Sequence, residues 1–156
     1  MKHVGPKDRA FELCDTVRET GYAIHCYLGP GHLEKVYENA LVHRLRKAGL
    51  KVEQQKALTV CDEDGTVIGE YLVDVLVEDQ LIVELKAAKS IADEHIAQVL
   101  GYLRAARIEH GALANFGAAK FDIRKYAMSA PAKTSTPFLA LLFASLCVLC
   151  GQLLSR

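Results

Sequence analysis

From Tyr71 to Ala87 apolar residues recur at every second position on either side of a short turn, with charged side chains at several of the positions between. Val73, Val75 and Val77 interleave with Asp74, Leu76 and Glu78. After Glu78-Asp79-Gln80, Leu81, Val83, Leu85 and Ala87 interleave with Ile82, Glu84 and Lys86. Successive side chains of a strand point to opposite faces, so this pattern predicts a β-hairpin. Asp74 then shares a face with Glu78, and Glu84 with Lys86. If Val77 pairs with Leu81, Asp74 falls opposite Glu84. A register shifted by one residue makes the two acids diagonal neighbours, still within reach.

The rest of the chain reads around that hairpin. Phe11, Cys14, Val17, Ile24 and Tyr27 recur at helical spacing and predict a helix over Asp8 to Tyr27, ended by Leu28-Gly29-Pro30-Gly31. A second helix is predicted from Leu33 to Ala48, with Gly49 as its C-terminal stop and Arg44, Arg46 and Lys47 at the negative end of its dipole. Strands are predicted over Lys51 to Val60, Val67 to Val77 and Leu81 to Ala87, with a disturbance at Gly69. Ser90 suits a cap for a third helix from Ile91 to Ala106, on which Ile91, His95, Gln98 and Tyr102 share a face. Gly111 to Phe116 and Phe121 to Met128 read as two last strands. Two helices, a meander, a helix and two strands predict an α/β or α+β domain with one mixed sheet over residues 1–130.

Residues 131–137, Pro-Ala-Lys-Thr-Ser-Thr-Pro, have the composition of a linker. From Phe138 to Cys150 only Ser145 interrupts the apolar side chains, and Leu153-Leu154 extend the run. A membrane-spanning helix wants about 20 apolar residues, so this run is marginal. Residues 138–156 read either as a membrane-associated helix, with contact through 138–154, or as a segment that covers the domain or a partner, or as a dispensable extension.

Charge narrows the function classes. The 156 residues have a net charge of zero. Of the 19 Lys and Arg only Lys133 and Arg156 follow Pro131, so residues 1–130 carry 17 basic against 19 acidic side chains. A domain with that balance does not hold nucleic acid by bulk electrostatics and needs a local basic patch. The five cysteines, Cys14, Cys26, Cys61, Cys147 and Cys150, form no framework and read as reduced thiols. Cys147-x-x-Cys150 has no second pair and no nearby His, which argues against zinc. The N-terminus is charged and lacks an apolar segment, so no secretory leader is expected there and a cytoplasmic location is the default reading.

The chemistry sits on the hairpin. Two carboxylates that meet, Asp74 and Glu84, need a proton or a cation between them. Mg²⁺ takes oxygen ligands, commonly one or two carboxylates with water and phosphate. The Leu85 carbonyl offers a further ligand, and Glu34 on the second helix a third acid. Lys86 points to the same side as Glu84, placed to orient or deprotonate a water or to stabilise charge on a phosphate oxygen. That equipment suits metal-assisted phosphodiester hydrolysis. A simple ion pair of Lys86 with Glu84 or Asp74 accounts for the same residues without chemistry. On the second helix Glu34, Tyr37, Glu38 and Leu41 share a face, where the two acids also suit the helix dipole.

Asp74 followed by Glu84-Leu85-Lys86 resembles the signature of the PD-(D/E)XK nucleases, with Val73 where the name of the superfamily has proline. Gln98-x-x-x-Tyr102 is similar to the accessory motif of its RecB-like members. Gly31-His32-Leu33-Glu34-Lys35-Val36-Tyr37 matches Gly-x-x-Glu-x-x-Tyr, the motif of the GxxExxY family, and Leu28-Gly29-Pro30-Gly31 before it and Asn115-Phe116-Gly117 after the last helix also resemble that family. The resemblance spans about Phe11 to Met128 and does not include the tail after Ala130. It implies a restriction-endonuclease-like α/β core, a mixed central sheet flanked by helices. It implies Asp74, Glu84 and Glu34 as metal ligands for Mg²⁺ or Mn²⁺, Lys86 as the catalytic lysine, and Tyr37, Gln98 and Tyr102 as accessory or substrate-facing residues. It implies a nuclease acting on nucleic acid, DNA ahead of RNA. The alternative is a catalytically silent nuclease-fold module that binds nucleic acid or protein, membrane-associated if the tail is an anchor.

Overall fold

The computed structural model describes residues 6–128; the linker and apolar segment expected over 131–156 lie outside the described residues. Three helices and five strands follow one another as α1 (Pro6–Leu28), α2 (Glu34–Lys47), β1 (Val52–Cys61), β2 (Val67–Val77), β3 (Leu81–Lys86), α3 (Asp93–Ala106), β4 (His110–Asn115) and β5 (Asp122–Ala127). The strands form one sheet in chain order. Only β3 and β4 run parallel, joined by α3 as a crossover; the other neighbours are antiparallel. The expected mixed α/β sheet is therefore present, with each element within three residues of its predicted bounds.

Alternation along β3 divides the core. Leu81, Val83 and Leu85 face α1 and α2, where they meet Val17, Ile24, Leu41 and Leu45. Ile82 faces α3, where Val99, Tyr102, Leu103 and Leu113 gather. Every residue from Leu81 to Leu85 is buried, as a central strand covered on both faces requires. On α1 the buried stripe is Leu13, Cys14, Val17 and Ile24; Phe11 and Tyr27, expected on it, are exposed. Tyr27 lies instead under the Arg44 guanidinium, 5.8 Å from its ring centroid.

One local expectation is corrected. Ser90 does not cap α3, which starts after Ala92; His95 reaches back so that its Nδ1 accepts the Ala92 N–H at 3.2 Å. The hairpin turn places both Glu78 and Asp79 at positive φ, 53° and 55°, with Gln80 N–H on the Val77 carbonyl. Asp tolerates that conformation, but Glu78 is an unusual occupant of it. Side chains hold it: Glu78 accepts the Lys51 N–H at 2.7 Å, and Lys51 pairs with Asp79 at 2.7 Å. The irregularity expected near Gly69 is a register shift of the β1–β2 ladder, after Val60 pairs with Gly69.

Among the described residues no helix is long and apolar enough to cross a membrane, and Cys14, Cys26 and Cys61 are free thiols.

Candidate functional site

Val77 pairs with Leu81, Leu76 with Ile82 and Val75 with Val83, and there the pairing of β2 with β3 ends. The next position in this register sets Asp74 against Glu84. Beyond it β2 stays with β1 and β3 stays with β4, so the two central strands part and a fork opens between them. Parting leaves backbone groups of β3 without a strand partner, and a buried N–H must be satisfied. Asp74 does this at the apex: its Oδ2 accepts the Leu85 N–H at 2.9 Å.

The alternation of the β1–β2 ribbon also breaks here. Val73 belongs to the α3 side and Val75 to the α1–α2 side, although they are two residues apart. In β1, Val52 and Leu58 are divided in the same way. Between them stands Gln55 at φ 52°, a left-handed conformation that a residue with a Cβ adopts at a cost. The ladder skips from Gln54–Val75 to Lys56–Val73, with Gln55 across from Asp74. The turn in the backbone delivers Gln55 Nε2 to Asp74 Oδ1 at 3.2 Å. Both oxygens of Asp74 are thereby oriented. The expectation that Asp74 simply shares a face with Glu78 misses this reversal.

Glu84 and Lys86 lie on the α3 face of β3, and Lys86 Nζ donates to Glu84 Oε1 at 2.7 Å. The Glu84 side chain is only 3% exposed and its Oε2 has no hydrogen-bond partner among the described residues. Burial, then the Asp74 charge, push the Glu84 carboxyl up to about 7, against the opposing effect of Lys86. For Lys86, burial works to lower the ammonium, but the bond to Glu84 and the charges of Glu84, Glu34 and Asp74 outweigh it and hold it above its ordinary value. Lys86 is thus a cation held among three acids.

Glu34 arrives from the first turn of α2 and reaches past the end of β3, where its Oε2 accepts the Ala87 N–H at 3.1 Å. Burial raises its carboxyl, which Lys86 and the Ala87 bond partly offset and Asp74 and Glu38 reinforce. The loop before it sets this approach. Gly29 and Gly31 turn the chain at φ 69° and 108°, which glycine adopts freely. Tyr37 locks that turn, its hydroxyl donating to the Gly29 carbonyl at 2.7 Å and accepting the His32 N–H at 3.1 Å. Its ring is fully buried and stacks on Phe116 with centroids 4.7 Å apart. Tyr37 therefore presents nothing to a substrate; the substrate-facing role is corrected to one of positioning Glu34. Glu38, one turn on, is buried and takes Lys35 and Gln54 at 2.7 Å each.

On α3, Gln98 Nε2 donates to the Tyr102 hydroxyl. Burial, then the Glu84 charge, raise that phenol, which places Tyr102 within the field of the fork. The structure brings Glu34, Asp74, Glu84, Lys86, Gln98 and Tyr102 to one region and leaves Tyr37 behind it.

Three residues act here without having been assigned a part from the sequence: Gln55, Asn115 and Gly117. Asn115 is buried and its Oδ1 accepts the Ala88 and Gly117 N–H groups, both at 3.1 Å. A Cβ on Gly117 would stand 2.3 Å from the Ala87 carbonyl carbon, so only glycine lets the two chains approach. Together they brace the segment that leaves Lys86. For Gln55 the signal was the polar run Glu53 to Lys56 inside a strand. Gln55→Gly keeps the left-handed backbone and removes the amide. It is expected to fold normally and to lose Mn²⁺ affinity about 10- to 100-fold, read by titration calorimetry. Unchanged affinity would assign Gln55 to the backbone turn alone.

A forked parallel–antiparallel sheet with acids and a lysine at the fork defines a nuclease-type α/β core. The chain belongs to the PD-(D/E)XK nuclease superfamily, whose family model matches residues 11–126. Among solved structures, SSO0001 is similar with a TM-score of 0.52 at 16% identity, over 92% of this chain and 74% of that one. An alkaline exonuclease (LHK-Exo) from Laribacter hongkongensis is similar at a TM-score of 0.45 and 13% identity, over 74% of this chain and 69% of that one. No curated protein matches the sequence.

Proposed function

We propose that the protein is a Mg²⁺- or Mn²⁺-dependent nuclease of the GxxExxY type that hydrolyses phosphodiester bonds at the fork, with DNA as the first substrate to test. The observation that carries this reading is the orphan Glu84 Oε2, buried beside the charge of Asp74. A buried carboxylate oxygen without a donor is costly, and a cation supplies what is missing. Among the described residues no three His, Cys, Asp or Glu side chains gather into a ready cage. That suits an ion held by one or two carboxylates, water and substrate phosphate.

Asp74, Glu84 Oε2 and the Leu85 carbonyl would hold the ion, with Glu34 at its margin. Bound there, a divalent ion supplies Lewis acidity and an acidified water. Gln55 and the Leu85 N–H fix the Asp74 carboxylate for that duty. Lys86 places positive charge against the phosphate oxygens as negative charge develops on them. Gln98 and Tyr102 close the α3 side and present amide and phenol to the substrate.

The closed Lys86–Glu84 pair favours the second reading, a silent binding module in which the lysine alone neutralises the acid. Incubation of the full chain with labelled single-stranded and duplex DNA and with RNA separates the two. Product with Mg²⁺ or Mn²⁺ and none in EDTA is expected; binding without product under every condition sinks the enzyme.

A further inference from the structure

The acidic balance of residues 1–130 asks for a local basic patch, and away from the fork the structure sets two arginines beside one cleft. Between the outer part of the β1–β2 ribbon and the last turns of α3 lies a cleft of about 550 Å³. Thr59 and Asp62 line its strand wall, Tyr71 its floor, and Arg104 and Arg107 its helix wall, with Gly101 leaving a notch in the helix. Both arginines are exposed, and neither makes an ion pair among the described residues. Arg104, in the last turn of α3, suits the helix dipole. Arg107, the residue after the last turn, lies at the same negative end. It stands at φ 53°, where glycine is the easy choice, and carries a guanidinium into the cleft mouth. Asp62 is the one acid on the lining.

A ring contact links the cleft wall to the fork. Tyr71 is 42% exposed and its ring leans on Tyr102, centroids 5.2 Å apart. Tyr102 holds Gln98 and feels the charge of Glu84. From Gln98 to Arg104 the helix rises about 9 Å, or about two to three nucleotides of a strand at 3.4 Å each. Guanidinium groups match phosphate geometry, the Tyr71 hydroxyl adds a donor, and an exposed tyrosine ring offers a base a stacking face.

We propose that this cleft is the backbone-gripping subsite for a nucleic-acid strand whose scissile phosphate lies at the fork, Arg104 and Arg107 each holding a phosphate and Tyr71 stacking a base between them and the site. The inference rests on the nuclease reading and adds where the strand runs.

The test uses the full chain in EDTA, with a fluorescent single-stranded DNA of about 20 nucleotides, by anisotropy from about 50 to about 200 mM salt. Arg104→Gln/Arg107→Gln is expected to weaken binding about tenfold or more at low salt and to flatten the log–log salt slope by about 1.4, two phosphates at about 0.7 each. Arg104→Lys/Arg107→Lys is expected to keep most of the slope. Arg18→Gln, on the far face with Asp15, is expected to change neither reading. Wild-type binding with an unaltered slope in the double Gln variant overturns the subsite and leaves the fork untouched. An equal loss in Arg18→Gln overturns it in favour of bulk charge. No binding by wild type in EDTA also overturns the subsite, while the nuclease reading stands or falls by product formed with Mg²⁺ or Mn²⁺.

Discussion

Asp74→Asn protein is expected to retain its fold and to lose metal-dependent cleavage by about a thousandfold, the scale of removing one well-aimed electrostatic group from an active site. The fold survives because asparagine still offers one oxygen to the Leu85 N–H, the bond that closes the apex of the fork. Cleavage does not survive, because the amide brings no negative charge to a cation and no second lone-pair oxygen. Asp74→Ala is the harsher version. It also orphans the Leu85 N–H, at a cost of about 1–3 kcal/mol, so its loss of activity mixes chemistry with stability. The informative comparison is therefore Asn against wild type, measured as initial cleavage rate in saturating Mn²⁺, with melting curves alongside. Equal rates would mean that the cleavage arises elsewhere than at Asp74, and the fork would then be a structural ion-pair site.

How far this site was legible in the chain can be traced residue by residue. Apolar residues at every second position from Tyr71 to Ala87 carried the hairpin, because β2 pairs with β3 in the simple register from Val75 to Val77. The acids and lysine on that hairpin could be named for the same reason. The reversal at Gln55 could not, since a non-glycine residue in the left-handed region leaves no mark in composition. Tyr37 misleads because helical spacing puts it beside Glu34, while spacing says nothing of the Gly29 loop folded back over it. Asn115 and Gly117 acquire their roles only when β4 lies beside β3 and the chain after Asn115 meets Ala87 and Ala88. These are tertiary contacts between segments about 30 residues apart. What the sequence hides at this site is thus mostly the support of the charged groups rather than the groups themselves.

That support holds an unfavourable charge in place, and Glu84→Gln should release it. In metal-free buffer the variant is expected to melt higher than wild type at pH 8, by several degrees and up to about 10 °C, and to melt with it at pH 5. The sign follows from linkage. Glu84 titrates near 4.5 when solvated and at about 7 in the fold. Between those values the folded protein holds a proton that the unfolded chain has released, so stability falls as pH rises through this window. The full cost, at most about 3 kcal/mol by the value of one pH unit, is present above pH 7. Glutamine resembles the protonated acid and escapes it, and the orphan Oε2 is replaced by an amide that can donate to Asp74. Adding Mn²⁺ at about a hundred times its dissociation constant should return about 2.7 kcal/mol to wild type at pH 8 and little to the variant. A site built to take a cation is destabilised without one, so stability gained by Glu84→Gln and activity lost by it should appear together. If Glu84→Gln melts lower than wild type at pH 8, the Lys86–Glu84 pair outweighs the burial of the charge. The acid would then be serving the fold and not a metal.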